Sequence, residues 1–378
     1  MSLTDLARSA NTAWATAGLL RSPGTFDTAQ HPIALIDGRD YLLFSSSNYL
    51  SLSAHPAVVS SAIKAVEKYG AGSGGSRLTT GTTELHTAVE RAFARFVGSE
   101  DAVYFATGYQ ANLSTIAALG AVSESLTIFS DSLNHASIID GCRLSRLPLT
   151  VFPHGDRSAL EAALQARSTE HALVITDGLF SMDGDIAPLP ELQRICTEHG
   201  AWLMVDDAHA IGTLGPHGKG TADHFDTTLP DILIGTASKA LGAEGGFVCC
   251  SHEFAQLLRN RARSYVFSTA TAAASPAAIL AALRLIDEQL PSLRRNIASL
   301  RTALHLPDSP SPIIPIPVGD EDKAMHASAQ LKELGMWVPA IRYPTVKRGE
   351  AILRVTVMAN HTEDHIRQLV DGLQSVGC

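Results

Sequence analysis

The chain has 378 residues, 45% of them hydrophobic and 18% charged, which is apolar material for one large and one smaller domain rather than a single core. A formal net charge of −9 argues against a nucleic-acid partner, which would need a basic face, and no apolar run approaches the length of a membrane-spanning helix. Cys142, Cys196, Cys249, Cys250 and Cys378 are odd in number and lack metal-type spacing, so they read as reduced thiols of a soluble, cytoplasmic protein without a metal site.

The first twenty residues include Asp5, Arg8 and Asn11 and lack the unbroken apolar core of a signal peptide. Residues 1 to about 40 read as a helix, a loop and a hairpin-like turn at Asp37-Gly38. The central part alternates strands with helices, the signature of a mostly parallel sheet covered on both faces. The expected division is an N-terminal arm (1–44), a large domain (45–276) and a small C-terminal α+β domain (277–378).

Strand 101–105 is followed by Ala106-Thr-Gly-Tyr-Gln-Ala-Asn112 and an apolar helical pattern over 113–119. Free backbone N–H groups and the helix dipole suit such a corner to a phosphate, held by Gly108 and Tyr109, although most lone glycine turns merely reverse the chain. The strand end at 127–129 leads to His135, whose imidazole suits stacking on a flat ring or an ordinary loop hydrogen bond. Residues 173–176 form another buried strand, ending at Asp177. The apolar run 201–205 stops at Asp206-Asp207-Ala208-His209, an acid and an imidazole on one loop; an Asp-Asp pair is also an ordinary helix N-cap.

The buried strand 232–235 runs into Thr236-Ala-Ser-Lys239 and a small-residue loop. Lysine is rarely buried without a partner, and open parallel sheets bind ligands just past the carboxyl ends of such strands. A partly desolvated amine there suits a Schiff base with an aldehyde cofactor. For pyridoxal 5'-phosphate (PLP) a carboxylate must also pair with the pyridinium nitrogen, and Asp206, the first acid after its strand, is the candidate.

Arg259, Arg261 and Arg263 form a basic cluster that suits coenzyme A phosphates, an acidic carrier protein, or solvent alone. After Ser275-Pro276 a helical pattern runs from 277 to about 290, where Pro291 interrupts it. Beyond a Pro-rich stretch (308–317) follow a strand, a helix over 322–335, two strands and a last helix from Thr362.

Together these segments resemble the α-oxoamine synthases, PLP-dependent enzymes of the fold-type I aminotransferase architecture, over nearly the whole chain. The resemblance rests on Gly72-Ser-Gly-Gly-Ser-Arg77 with Gly81 and His86, Asn134-His135-Ala-Ser137, Asp177-Gly-Leu-Phe-Ser-Met-Asp-Gly-Asp185, Val205-Asp-Asp-Ala-His209 and Thr236-Ala-Ser-Lys239. Each is short; their order and spacing together are specific. Val338-Pro-Ala-Ile-Arg342-Tyr-Pro-Thr-Val346 with Arg348-Gly349 and Ile352-Leu-Arg354 most resembles the branch serving biotin synthesis.

The resemblance implies that Lys239 forms the Schiff base and moves the α-proton, Asp206 pairs the ring nitrogen, and His135 stacks on the ring and polarises a carbonyl. Ser181 and His209 would bond the phenolic oxygen. Thr236 would join Gly108 and Tyr109 at the phosphate, Thr269 would reach the phosphate of a second subunit, and Arg354 would grip the amino-acid carboxylate; a strand arginine otherwise faces solvent. Arg21 is assigned to the distal carboxylate of the acyl group, or else is a solvated charge, and Ser47 to acyl-chain contacts. The partners implied are L-alanine and pimeloyl-CoA or a pimeloyl-acyl carrier protein, in a homodimer with shared active sites.

The sequence departs from that pattern at Ser47, Ser51, Ala210 and Glu244; none of the four touches the cofactor constellation, and Ser47 alone bears on the acyl-chain contacts. Two other readings stay open: a sister synthase using glycine or serine with another acyl thioester, and a non-catalytic scaffold subunit of the same fold.

Overall fold

The computed structural model describes residues 1–20 and 22–378, so the assignment of Arg21 falls outside the described residues. The first helix, Leu3–Thr16, begins at a capping box in which Ser2 and Asp5 exchange hydrogen bonds, and it buries none of its residues. Asp37 and Gly38 then take positive φ, 50° and 75°, as a tight two-residue turn requires. They close a hairpin of β1 (Ile33–Ile36) and β2 (Arg39–Leu43), with Ile36 opposite Arg39.

Seven strands build the main sheet: β3 (Asp101–Phe105), β4 (Leu126–Asp131), β5 (Leu149–Phe152), β6 (His171–Asp177), β7 (Trp202–Asp206), β8 (Ile232–Thr236) and β9 (Gly246–Cys250). Their spatial order is β3-β9-β8-β7-β6-β4-β5. Every neighbouring pair is parallel except those of β9, which runs against both β3 and β8.

The central strands are buried along nearly all their length and mostly apolar until their carboxyl ends, because both faces are covered. Alternate residues sort into separate cores. Ile128, Ile175, Met204 and Ile234 pack on one face with Ile116 and Ile138, whereas Phe129, Val174, Leu203 and Val205 pack on the other with Leu160 and Leu192.

The C-terminal part builds a second antiparallel sheet, in the order β10-β13-β12, from β10 (Ile313–Gly319), β12 (Ala340–Ile341) and β13 (Ala351–Thr356); the two-residue β11 (Met336–Trp337) instead pairs in parallel with β2. Two short strands and a longer one thus replace the two expected after the helix Glu321–Glu333.

Pro291 does not interrupt its helix. The break falls at residues 283–285, between helices Ala274–Ala282 and Ile286–Ala303, where Leu285 N–H bonds the Ala282 carbonyl. Pro291 and Asp287, the residue whose carbonyl loses its helical donor, are both exposed, so the missing bond falls on the solvent side of the helix. All five cysteines are free, and no described helix is long and apolar enough to cross a membrane.

Candidate active site

The parallel strands β3, β4, β6, β7 and β8 end on one edge of the main sheet, and the loops that follow them converge there. They enclose a cavity of about 230 Å³ lined by Gly108, Tyr109, His135, Ser181, Asp206, His209, Thr236 and Lys239, together with Asn112, Ser137, Asp177 and Leu179. Five separate strand ends thus bring their polar residues to one place.

Asp206 is the last residue of β7 and is buried. Its Oδ1 accepts the Ala208 N–H at 2.9 Å and its Oδ2 accepts Asn112 Nδ2 at 2.6 Å. The same Asn112 amide donates to Ser137 Oγ at 3.0 Å, and that oxygen lies 2.8 Å from His135 Nδ1. His135 Nδ1 also accepts the Ser137 N–H, at 3.3 Å, capping the helix Ala136–Ser145. With Nδ1 an acceptor, the neutral ring carries its proton on Nε2. One buried amide therefore sets both the carboxylate and the imidazole, while Asn112 Oδ1 is buried without a partner among the described residues.

The helix Gly108–Gly120 starts at Thr107, whose hydroxyl caps Gln110 N–H at 3.1 Å. The first helical N–H groups have no intrahelical acceptor, which makes this corner a seat for an anion. A Cβ on Gly108 would stand 3.2 Å from Thr236 Cβ, so glycine keeps the corner open. Thr236 Oγ1 lies 2.8 Å from both the Gly245 carbonyl and Ser238 Oγ. Tyr109 has its ring edge-on to His135, with 6.3 Å between centroids, and its hydroxyl donates to Asp140.

Lys239 pairs with no carboxylate among the described residues, and burial lowers its pKa. His209 Nδ1 is 2.7 Å from the Tyr49 hydroxyl, which leaves Nε2 for a cavity partner. Burial, and then the Lys239 charge, holds that imidazole neutral, with its pKa well below the ordinary value. Asp177 is driven the other way, well above the carboxylate range, by burial and then by the Asp206 charge.

Arg354 on β13 is buried; its Nε donates to the Ser181 carbonyl at 2.6 Å, and it too lacks a carboxylate partner among the described residues. It borders the cavity through Ser181 rather than lining it. Thr269 is exposed, bridges Ser76 and does not join this cavity, and Ser47 does not line it either. Asn112 and Ser137 stand within the sequence motifs but carry no expected role there, and Tyr49 is not among the expected site residues. An asparagine inside an otherwise apolar helical pattern is the available signal for the first; nothing local marks the supporting role of the other two.

The family model for aminotransferase class I and II matches residues 39–373. The chain is 46% identical over 420 residues to a biotin biosynthesis bifunctional protein BioWF of Corynebacterium kroppenstedtii, covering 99% of this chain and 58% of that protein. It spans little more than half the length of such bifunctional relatives. Over 372 residues it is 45% identical to an 8-amino-7-oxononanoate synthase of Geobacter sulfurreducens, covering 95% of each. Its fold matches a variant of serine palmitoyltransferase from S. paucimobilis with bound PLP–myriocin, at a TM-score of 0.92 and 29% identity over 100% of this chain and 98% of that one. The chain belongs to the aminotransferase class I and II family, and within it is similar to the 8-amino-7-oxononanoate synthases.

Proposed function

We propose that this chain is a PLP-dependent 8-amino-7-oxononanoate synthase, joining L-alanine to a pimeloyl thioester of coenzyme A or an acyl carrier protein with loss of carbon dioxide and release of the thiol. The observation that carries the reading is the convergence of an unpaired Lys239, the Asn112-anchored Asp206 and the Ser137-supported His135 on one cavity, in a chain 45% identical to such a synthase along its length. The residues present fit PLP. The open helix start at Gly108 and Tyr109 with Thr236 suits the phosphate, Asp206 the ring nitrogen, His135 the ring face, and Ser181 and His209 the phenolic oxygen.

When bound, PLP supplies an aldehyde for covalent capture of an amine and a protonated ring that accepts the electron pair of a broken α C–H bond. Lys239, its amine pKa lowered by burial, takes and returns the proton at Nζ. Asp206, its oxygens fixed by the Asn112 amide and the Ala208 N–H, would pair with the protonated ring nitrogen. His135, with Nε2–H directed away from its Ser137 support, donates to the oxygen that gains charge when the thioester carbonyl is attacked. The unpaired Arg354 guanidinium grips the alanine carboxylate.

The proposed division is an arm (1–44), a large domain (45–276) and a small domain (277–378); the seven-stranded sheet lies within the second and β10-β13-β12 within the third, while the arm hairpin shares a sheet with β11 of the third. A homodimer in the cytoplasm is proposed with it. The exposed Thr269 would serve the second subunit's phosphate. The test mixes PLP-loaded protein with L-alanine or glycine and then pimeloyl-CoA, following cofactor absorbance, free thiol and the amino-ketone product. Thiol release that requires both L-alanine and pimeloyl-CoA is expected; release with glycine and another acyl thioester alone overturns the assignment in favour of a sister synthase.

A further inference from the structure

Behind the cavity, His154 stands between two carboxylates. Its Nδ1 is 3.0 and 3.1 Å from the two oxygens of Asp131, and its Nε2 is 2.9 Å from Asp185 Oδ2. An ionised carboxylate only accepts, so both contacts are hydrogen bonds only when the ring carries a proton on each nitrogen. Asp131 ends β4, and its oxygens also fix the N–H groups of Leu133 and Gly155, at 2.8 and 3.1 Å. Four residues beyond Asp131 is His135. Asp185 lies in the hairpin that follows β6, where Leu179 bridges Ile186 and Phe180 N–H bonds the Asp185 carbonyl at 3.0 Å. That hairpin carries Ser181, the residue whose carbonyl receives Arg354 Nε.

We infer that His154 is a positioning residue for the amino-acid substrate: as an imidazolium it ties the Ser181 hairpin, and through it Arg354, to the end of β4 that carries His135. The inference rests on the reading above, in which Arg354 takes the substrate carboxylate and His135 faces the reacting carbonyl. The ring packs edge-on against Phe180, with 4.4 Å between centroids, so the hairpin's own aromatic side chain seats it.

The charged groups facing His154 are Asp131 from β4 and Asp185 from the hairpin, whose attraction outweighs partial burial and raises its pKa. Asp183 is near enough to feel its charge, and Asp156 and Arg157 line the small recess beside it. With the carboxylates ionised, both tethers hold while the ring is doubly protonated, and one is lost as pH rises through a pKa above the ordinary imidazole value.

The test uses full-length, PLP-loaded enzyme. In ¹H–¹⁵N NMR of labelled histidines, the signal absent from His154→Gln is expected to report both ring nitrogens protonated at neutral pH. In the same enzyme, KM for L-alanine is expected to climb as that signal titrates, with kcat changing less than about twofold. His154→Gln should have KM raised about tenfold, the usual effect of losing one charge-assisted hydrogen bond, and should lack the climb. Asp185→Asn removes one of the two stabilising charges and should move the climb to lower pH, which serves as the second probe if His154→Gln folds poorly. A His154 ring singly protonated at neutral pH, or variants in which kcat and melting temperature fall while KM keeps its pH profile, overturns the inference. Failure of L-alanine as a substrate would sink the functional reading instead; the NMR titration stands apart from it.

Discussion

Two polar interiors of this chain follow opposite rules. Along the β3 edge, Arg77 donates Nη2 to Glu90 at 3.0 Å, Nη1 to the Tyr104 carbonyl at 3.2 Å and Nε to Thr82 at 3.0 Å, with its guanidinium 4.9 Å over the Tyr265 ring. Glu90 also accepts the Tyr104 N–H at 3.1 Å, and Arg259 brackets Asp101 at 2.7 and 2.9 Å. Charge is met by charge, and the network holds the sheet edge to the helix Glu84–Val97. At the active-site edge, the half-buried Lys239 and the buried Arg354 make no salt bridge with a carboxylate among the described residues, although the charge of Asp206 reaches the lysine. Leaving a buried charge unmatched costs free energy, and a fold retains such a group where a ligand completes it.

The comparison can be broken at its extremes. Lys239→Ala should lower kcat on the order of 10⁴-fold while leaving the unfolding midpoint nearly unchanged, since the half-buried amine makes no salt bridge among the described residues. Appreciable steady-state thiol release by that variant would show that the lysine is not the acting base.

Asp207, next to Asp206, belongs to the satisfied kind: Thr221 donates both its N–H, at 2.8 Å, and its hydroxyl. Burial still raises its pKa from 3.8 to about 7, so the folded state binds the extra proton and stability falls as pH rises between those values. Asp207→Asn removes that dependence. Urea unfolding should find wild type losing up to about 4 kcal/mol against the variant between pH 4 and pH 8. A gap independent of pH would mean that Asp207 is ionised throughout.

Glu90→Gln should cost about 3 kcal/mol of stability, because Arg77 is left buried without its charge partner. For the folded fraction, kcat/KM should stay within about twofold, as measured after active-site titration with PLP. The smallest effect sharpens the contrast from the cavity side. Asn112→Ala unties Asp206 from His135's support and should lower kcat/KM about tenfold with little change in melting temperature.

What could be read along the chain was whatever depends on near neighbours. The Asp37-Gly38 turn, the apolar runs of β6, β7 and β8, and the polar residues placed just beyond them are local patterns, because a strand buried on both faces must be apolar until it ends. Pro291 misled because its effect depends on which side of the helix meets water. The supports of the site were unreadable for a related reason. Asn112 meets Asp206 across 94 residues, Tyr49 meets His209 across 160, and Arg354 meets Ser181 across 173. Those meetings follow from the order in which the strands assemble and from how the C-terminal sheet packs against the hairpin after β6. Strand order is settled by the mutual packing of whole faces, and no single segment carries it.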